Sequence, residues 1–227
     1  MEPLTMSVEN ESEAPYVAPK PVKWVATLLS YVAHPLFLPT FFYYWLIQRF
    51  PVEFPGLEGK MLQLRLIGVF VTTAFLPGIA VFLMWRLKFI SGIRLKTQKD
   101  RIVPYIIIMI FYWWMWYLSK NFKDQPAVLK FFFLGIFLTT VGGLSFNNFE
   151  KISMHAMGVA GVLTGVLLTC FYYKTHLGAD VSIVMIVAGA VCSARLILND
   201  HSTREVYLGF FVGAACQLIG YFVSFLW

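Results

Sequence analysis

Residues 180–227 read DVSIVMIVAGAVCSARLILNDHSTREVYLGFFVGAACQLIGYFVSFLW, two apolar runs, 180–198 and 205–227, joined by a short polar turn. Each run is close to the roughly 20 residues that an α-helix needs to cross the hydrocarbon core of a bilayer. The pair therefore predicts a transmembrane helical hairpin. At its turn the spacing Arg195-x5-His201-x3-Glu205 puts a cation, an imidazole and a carboxylate beside one another. Ionisable groups at such a junction are expensive to keep dry and mark functional positions by default.

The same pattern extends through the chain, with further apolar runs at 24–49, 63–88, 103–119, 127–146 and 154–173, seven segments in all. Of 227 residues 59% are apolar, 18% aromatic and only 13% charged, against about a quarter charged in an average soluble domain. The fold expected is all-α, a polytopic transmembrane helical bundle forming one domain over 21–227. Residues 1–20 carry four Glu and three Pro and have no apolar core; they read as a disordered polar tail and not as a cleavable signal peptide. Cys170, Cys192 and Cys216 all fall inside apolar runs, without metal-ligand spacing, and behave as small core residues. The net charge of +6 is spread over inter-helix loops, which points to membrane lipids and away from a nucleic-acid partner.

Pro51, Pro55, Pro104, Pro126 and Gly178 mark run boundaries, while His34-Pro35 with Pro39, and Pro77-Gly78, predict kinks inside runs. His34 is read first as a local hydrogen-bonding residue, with a catalytic role as the alternative. The aromatic stretches Phe41–Trp45 and Tyr112–Tyr117 read as interfacial belts. Gly158, Gly161 and Gly165, with Ala156 and Ala160, give the fifth run a small-residue face and a central place in the bundle.

Two further polar clusters, Arg94 to Arg101 and Lys151-Ile152-Ser153-Met154-His155, lie between runs two and three and between runs four and five. An even number of crossings separates each cluster from the next, so all three are expected on one membrane face. Guanidinium forks match phosphate oxygens bidentately, and a His can act as nucleophile or proton donor. Glu205, four residues after His201, can hold the proton of one ring nitrogen and leave the other free. Ser202-Thr203-Arg204-Glu205 also has the form of a capping box, which alone accounts for a Glu there. Lys151 alone is explained as a snorkelling anchor, and the Arg94–Arg101 stretch alone as a positive loop.

These residues resemble the motifs of the type 2 phosphatidic acid phosphatase superfamily, whose helical core is shared with the vanadium haloperoxidases. Its third motif, Ser-Arg-x5-His-x3-Asp, is matched by Arg195, His201 and Glu205, with Ala194 at the Ser position and Glu for Asp. The second, Pro-Ser-Gly-His, is matched at Ser153 and His155, and the first, Lys-x6-Arg-Pro, in the spacing of Arg94 and Arg101 with the Pro displaced to 104. The surrounding text is similar to divergent small bacterial members, over residues 90–215. The resemblance implies a hydrolase of a lipid phosphate or diphosphate. In it His201 attacks phosphorus to give a phosphohistidine, Glu205 orients His201, and His155 protonates the leaving lipid. Arg94, Arg101 and Arg195 neutralise phosphate oxygens, Ser153 donates a hydrogen bond, and Lys151 adds a charge. It implies neither metal nor cofactor, and a bacterial cell-membrane location with an extracytoplasmic site. The cations divide eleven to seven in favour of the motif-bearing face, which by the positive-inside rule argues for the cytoplasmic side.

Four His are too few for a membrane hydroxylase or desaturase, and Asp100, Asp124, Asp180 and Asp200 are too scattered for an aspartate-rich prenyltransferase. A non-hydrolytic lipid-phosphate binder, transferase or transporter is the remaining alternative.

Overall fold

The computed structural model describes residues 18–93, 95, 97–122 and 124–226; Arg94 and nearly all of the N-terminal tail lie outside the described residues. Helices α1 (Lys20–Val32) and α2 (Leu38–Arg49) are followed by a short 3₁₀ turn, then α3 (Gly59–Phe70), a π-helical segment at Val71–Phe75 and α4 (Leu76–Arg86). After these come α5 (Gln98–Asn121), α6 (Ala127–Asn147), α7 (Met154–Tyr172), α8 (Gly178–Ile197) and α9 (Thr203–Ser224). Among the described residues six helical stretches are long and apolar enough to cross a membrane, α3 to α4 counting as one of them, Gly59–Arg86. The protein is an all-helical polytopic bundle.

The expected run 24–49 is not one helix. Pro35 lacks an amide and disfavours the helical conformation of the residue before it, so the chain leaves α1 at Ala33 and re-enters helix at Leu38. In the second run the disturbance lies just upstream of the expected Pro77-Gly78 kink. The proline ring crowds the carbonyl of Thr73, and the ladder widens to π geometry over Val71–Phe75. The third run begins at Gln98 and not at 103, because Thr97 caps α5 by accepting from the Asp100 amide and Pro104 is carried inside the helix.

The aromatic belts divide by helical face. Phe42, Tyr43 and Tyr112 are buried, whereas Phe41, Tyr44, Trp113 and Trp114 are exposed. Phe42 stacks on Phe132 at 3.7 Å between centroids, within a core of Phe131, Phe133 and Leu46 in the half of the bundle away from the polar clusters. At that far end Arg49 pairs with Asp180, and Arg65 with Asp124, each at 2.6 Å.

α9 lies against α6 and α7, α5 against α6, and α8 against α7, with α1 on α8. The close approach of α9 rests on glycine: a Cβ at Gly209 would stand 2.7 Å from the Ser153 carbonyl oxygen, and one at Gly220 would stand 2.6 Å from the Gly135 nitrogen. The small-residue stripe on α7 does pack, Gly158 against Leu38 and Gly165 against Phe132, but Gly161 meets nothing within 4 Å.

Candidate active site at one end of the bundle

The turn between α8 and α9 is short because Asn199 adopts φ +52°, the left-handed conformation that closes a helix C-terminus. The Asp200 amide then reaches the Arg195 carbonyl at 3.3 Å. Ser202 starts α9 through a capping box, its hydroxyl accepting from the Glu205 amide. The same Glu205 side chain receives both the Ser202 amide at 3.1 Å and His201 Nδ1 at 2.8 Å, on a single oxygen, Oε2. Capping and imidazole orientation, two roles that the sequence allows together, are one structure.

His201 is 8% exposed. Burial depresses its imidazole from 6.5 to about 4; the hydrogen bond to Glu205 opposes that shift, and the nearby Arg101 and Arg195 guanidiniums reinforce it. The ring is therefore neutral at pH 7, with its proton on Nδ1 donated to the carboxylate and Nε2 carrying a lone pair.

The second cluster joins this turn through the backbone. The Ser153 amide donates to the Glu205 carbonyl at 3.1 Å, which sets the start of α7 against the first turns of α9. Ser153 is fully buried and its hydroxyl caps α7, accepting from the Ala156 amide at 3.3 Å. Lys151 Nζ donates to the Asp200 carbonyl at 3.2 Å. Arg101, 4% exposed, donates from Nε to the Leu95 carbonyl and from Nη1 to the Ile152 carbonyl, both at 2.9 Å. Asp100 secures the loop before it by accepting from Ser91 and Thr97.

The break between α1 and α2 supplies a contribution that the sequence reading did not assign. His155 Nε2 lies 3.1 Å from the Ser30 carbonyl oxygen, and its ring meets the His34 ring edge-on at 5.3 Å. Arg195 donates from Nη1 to the Ser30 hydroxyl at 3.2 Å and from Nη2 to the Asp200 carboxylate at 2.5 Å. Its Nε is buried and has no partner among the described residues. Ser30 and Asp200 were not among the expected site residues, and His34 was expected first as a local hydrogen-bonding residue, with a catalytic role as the alternative; its place in a His-Pro pair inside an apolar run was the one available signal for this segment. Of the expected residues, Arg101, Lys151, Ser153, His155, Arg195, His201 and Glu205 meet at one end of the bundle, and Arg94 is outside the described residues.

A cleft of about 60 Å³ lies between α2, α5, α6 and α7 beside this end, lined by Pro35, Leu38, Tyr105, Phe132, Met154 and Gly161 among others. Its walls are almost wholly apolar, and the buried Tyr105 hydroxyl has no partner among the described residues. Among the described residues no three His, Cys, Asp or Glu side chains gather as a metal site would require. No family profile, curated protein or solved structure matches this chain.

Proposed function

We propose that the protein is a membrane phosphohydrolase that acts on a lipid phosphate or diphosphate through His201. The observation that carries this reading is the unpartnered, buried Nε of Arg195, within a cluster that also holds Arg101, Lys151 and a neutral His201 whose Nε2 is not taken by Glu205. A buried donor without an acceptor calls for an explanation, and an anionic oxygen supplies one. The apolar cleft beside the cluster supports an amphiphile with its phosphate among the cations and its hydrocarbon between the helices.

In the proposed reaction His201 Nε2 attacks phosphorus, forming an N–P bond as the P–O bond to the lipid breaks. His155 enters this step as the imidazolium, protonated on both ring nitrogens beside the bound phosphate anion, and the departing oxygen takes one of those protons, leaving the neutral ring. Water then attacks the phosphohistidine, His155 accepts a proton from that water, and cleavage of the N–P bond releases phosphate and restores His201. Glu205 holds the Nδ1 proton and stabilises the positive charge that develops on the ring. Arg101 and Arg195 offset charge on the phosphoryl oxygens.

The test is phosphate release from a panel of lipid phosphates by the purified protein in nanodiscs, with and without vanadate, for wild type and His201→Ala. Release that is inhibited by vanadate and abolished in His201→Ala is expected. No release by wild type, with lipid-phosphate binding equal in both proteins, would favour a non-hydrolytic binder.

A further inference from the structure

An uninterrupted α1 would use the amide of residue 34 to satisfy the carbonyl of Ser30, four residues earlier. Pro35 prevents this by driving His34 out of helical geometry. The Ala33 amide still reaches the Leu29 carbonyl at 2.9 Å, but the His34 amide turns to the Tyr31 carbonyl at 3.3 Å. The Ser30 carbonyl is thereby released from the ladder, and it is this oxygen that faces His155 Nε2 at 3.1 Å. A carbonyl only accepts, so His155 must be the donor, and its Nε2 carries the proton. His34 is held in turn: its Nδ1 accepts from the Leu36 amide at 3.4 Å, and its ring stands at 86° to that of His155.

We infer that the break between α1 and α2, Ser30 to Pro35, is a positioning device that fixes the ring of His155, so that with phosphate bound the imidazolium gives up its Nδ1 proton and takes it back there, while its Nε2 proton stays hydrogen-bonded to the Ser30 carbonyl. This rests on the reading of His155 as the leaving-group acid. The two histidines then work through opposite nitrogens, His201 through Nε2 with Nδ1 held by Glu205, and His155 through Nδ1 with Nε2 held by Ser30. A carboxylate behind a ring raises its basicity, whereas a neutral carbonyl fixes orientation and tautomer with less electronic effect. That difference suits a nucleophile in the first case and an acid that must give up its proton in the second. Ser30, His34 and Pro35 are positioning residues, acting through His155.

The test uses the full-length protein with ¹⁵N-labelled histidine in nanodiscs. In wild type a slowly exchanging Nε2–H resonance is expected for His155, assigned by its disappearance in His155→Gln. A His155 ring protonated on Nδ1 with bare Nε2, or an Nε2–H that exchanges at the solvent rate, overturns the proposal whether or not the protein is a phosphatase. In Pro35→Ala, where the residue 34 amide can reclaim the Ser30 carbonyl, that resonance should lose its protection; in Pro77→Ala, a proline removed from a distant helix, it should persist. On the activity side, Pro35→Ala should slow an alcohol-leaving lipid phosphate by about tenfold to a hundredfold in kcat. It should leave an activated aryl phosphate within about twofold, because a good leaving group needs no acid. An equal loss on both substrates overturns the device even where the resonance behaves as expected. Absence of phosphate release by wild type removes the proposed function, with the resonance left to decide the positioning claim.

Discussion

Oε2 of Glu205 accepts from His201 Nδ1 at 2.8 Å while the same atom closes the capping box of α9 with the Ser202 amide. The start of the helix and the tautomer of the imidazole thus depend on one carboxylate oxygen. Two substitutions separate the roles. Glu205→Gln keeps an acceptor oxygen for both donors but removes the charge, so helix stability should be largely kept while kcat for phosphate release falls on the order of a hundredfold or more. Glu205→Ala should lose the same activity and about 1 kcal/mol of stability as well. Steady-state kinetics beside thermal unfolding in detergent checks the pair; equal unfolding temperatures for the two variants would remove the capping claim.

Protonation of His201 sets an acid limit. Its folded-state value of about 4 lies below the ordinary 6.5, so between those values the unfolded chain binds more protons than the folded one, and stability rises with pH across that window. Acidification from pH 6.5 toward 4 should therefore destabilise the protein, and His201→Gln should flatten the dependence. The acid limb of kcat/KM assigned to the nucleophile should also lie well below pH 6.5, because neutral imidazole persists there. A limb at 6.5 would show that the free ring is not buried as described.

Gly209 bears the contact between the two histidine-bearing segments. A Cβ there would lie 2.7 Å from the Ser153 carbonyl oxygen and 3.2 Å from its nitrogen, both main-chain atoms that cannot swing aside. Gly209→Ala should cost on the order of 1–3 kcal/mol, as overpacking does. Gly189→Ala, where a Cβ meets nothing within 4 Å, should unfold at the wild-type temperature or above it. Thermal unfolding of both variants in the same detergent decides this.

Gly161 offers a way to fill the cleft without disturbing the fold, since it is buried yet a Cβ there meets nothing within 4 Å. If the cleft seats the hydrocarbon of the substrate, Gly161→Leu should raise KM for a long-chain lipid phosphate by about tenfold, near the value of one lost apolar contact. KM for a water-soluble short-chain phosphate should stay within about twofold. A chain-length series measured on both proteins gives the answer, and a parallel shift for every length would remove the cleft from substrate binding.

Asp200 occupies one arm of Arg195. Asp200→Asn removes a negative charge that competes with a bound anion, and vanadate inhibition should tighten by about threefold to tenfold, in line with loss of a partly exposed ion pair. Weaker inhibition would show that Asp200 supports the anion site through Lys151 and the turn.

The length and placement of the last four helices follow from local sequence: 127–146, 154–173, 180–198 and 205–227 were expected and α6 to α9 occupy nearly the same bounds. Hydrophobic runs bounded by breakers carry that information within a few turns of chain. The His201–Glu205 pair and the Ser202 cap were legible for the same reason, since residues four and three apart on a helix are neighbours whatever the rest of the protein does. Even the gathering of the three clusters at one end followed from counting crossings. Partners far apart in sequence were a different matter. The Ser30 carbonyl reaches His155 across 125 residues and the Ser30 hydroxyl meets Arg195 across 165. Asp200 takes a guanidinium arm expected for phosphate, and the Ser153 hydroxyl, expected to donate, also accepts as the cap of α7. Pro35 frees the Ser30 carbonyl locally, but which side chain stands opposite that oxygen is set by how α1, α7 and α8 pack, and no periodicity in the chain encodes that choice.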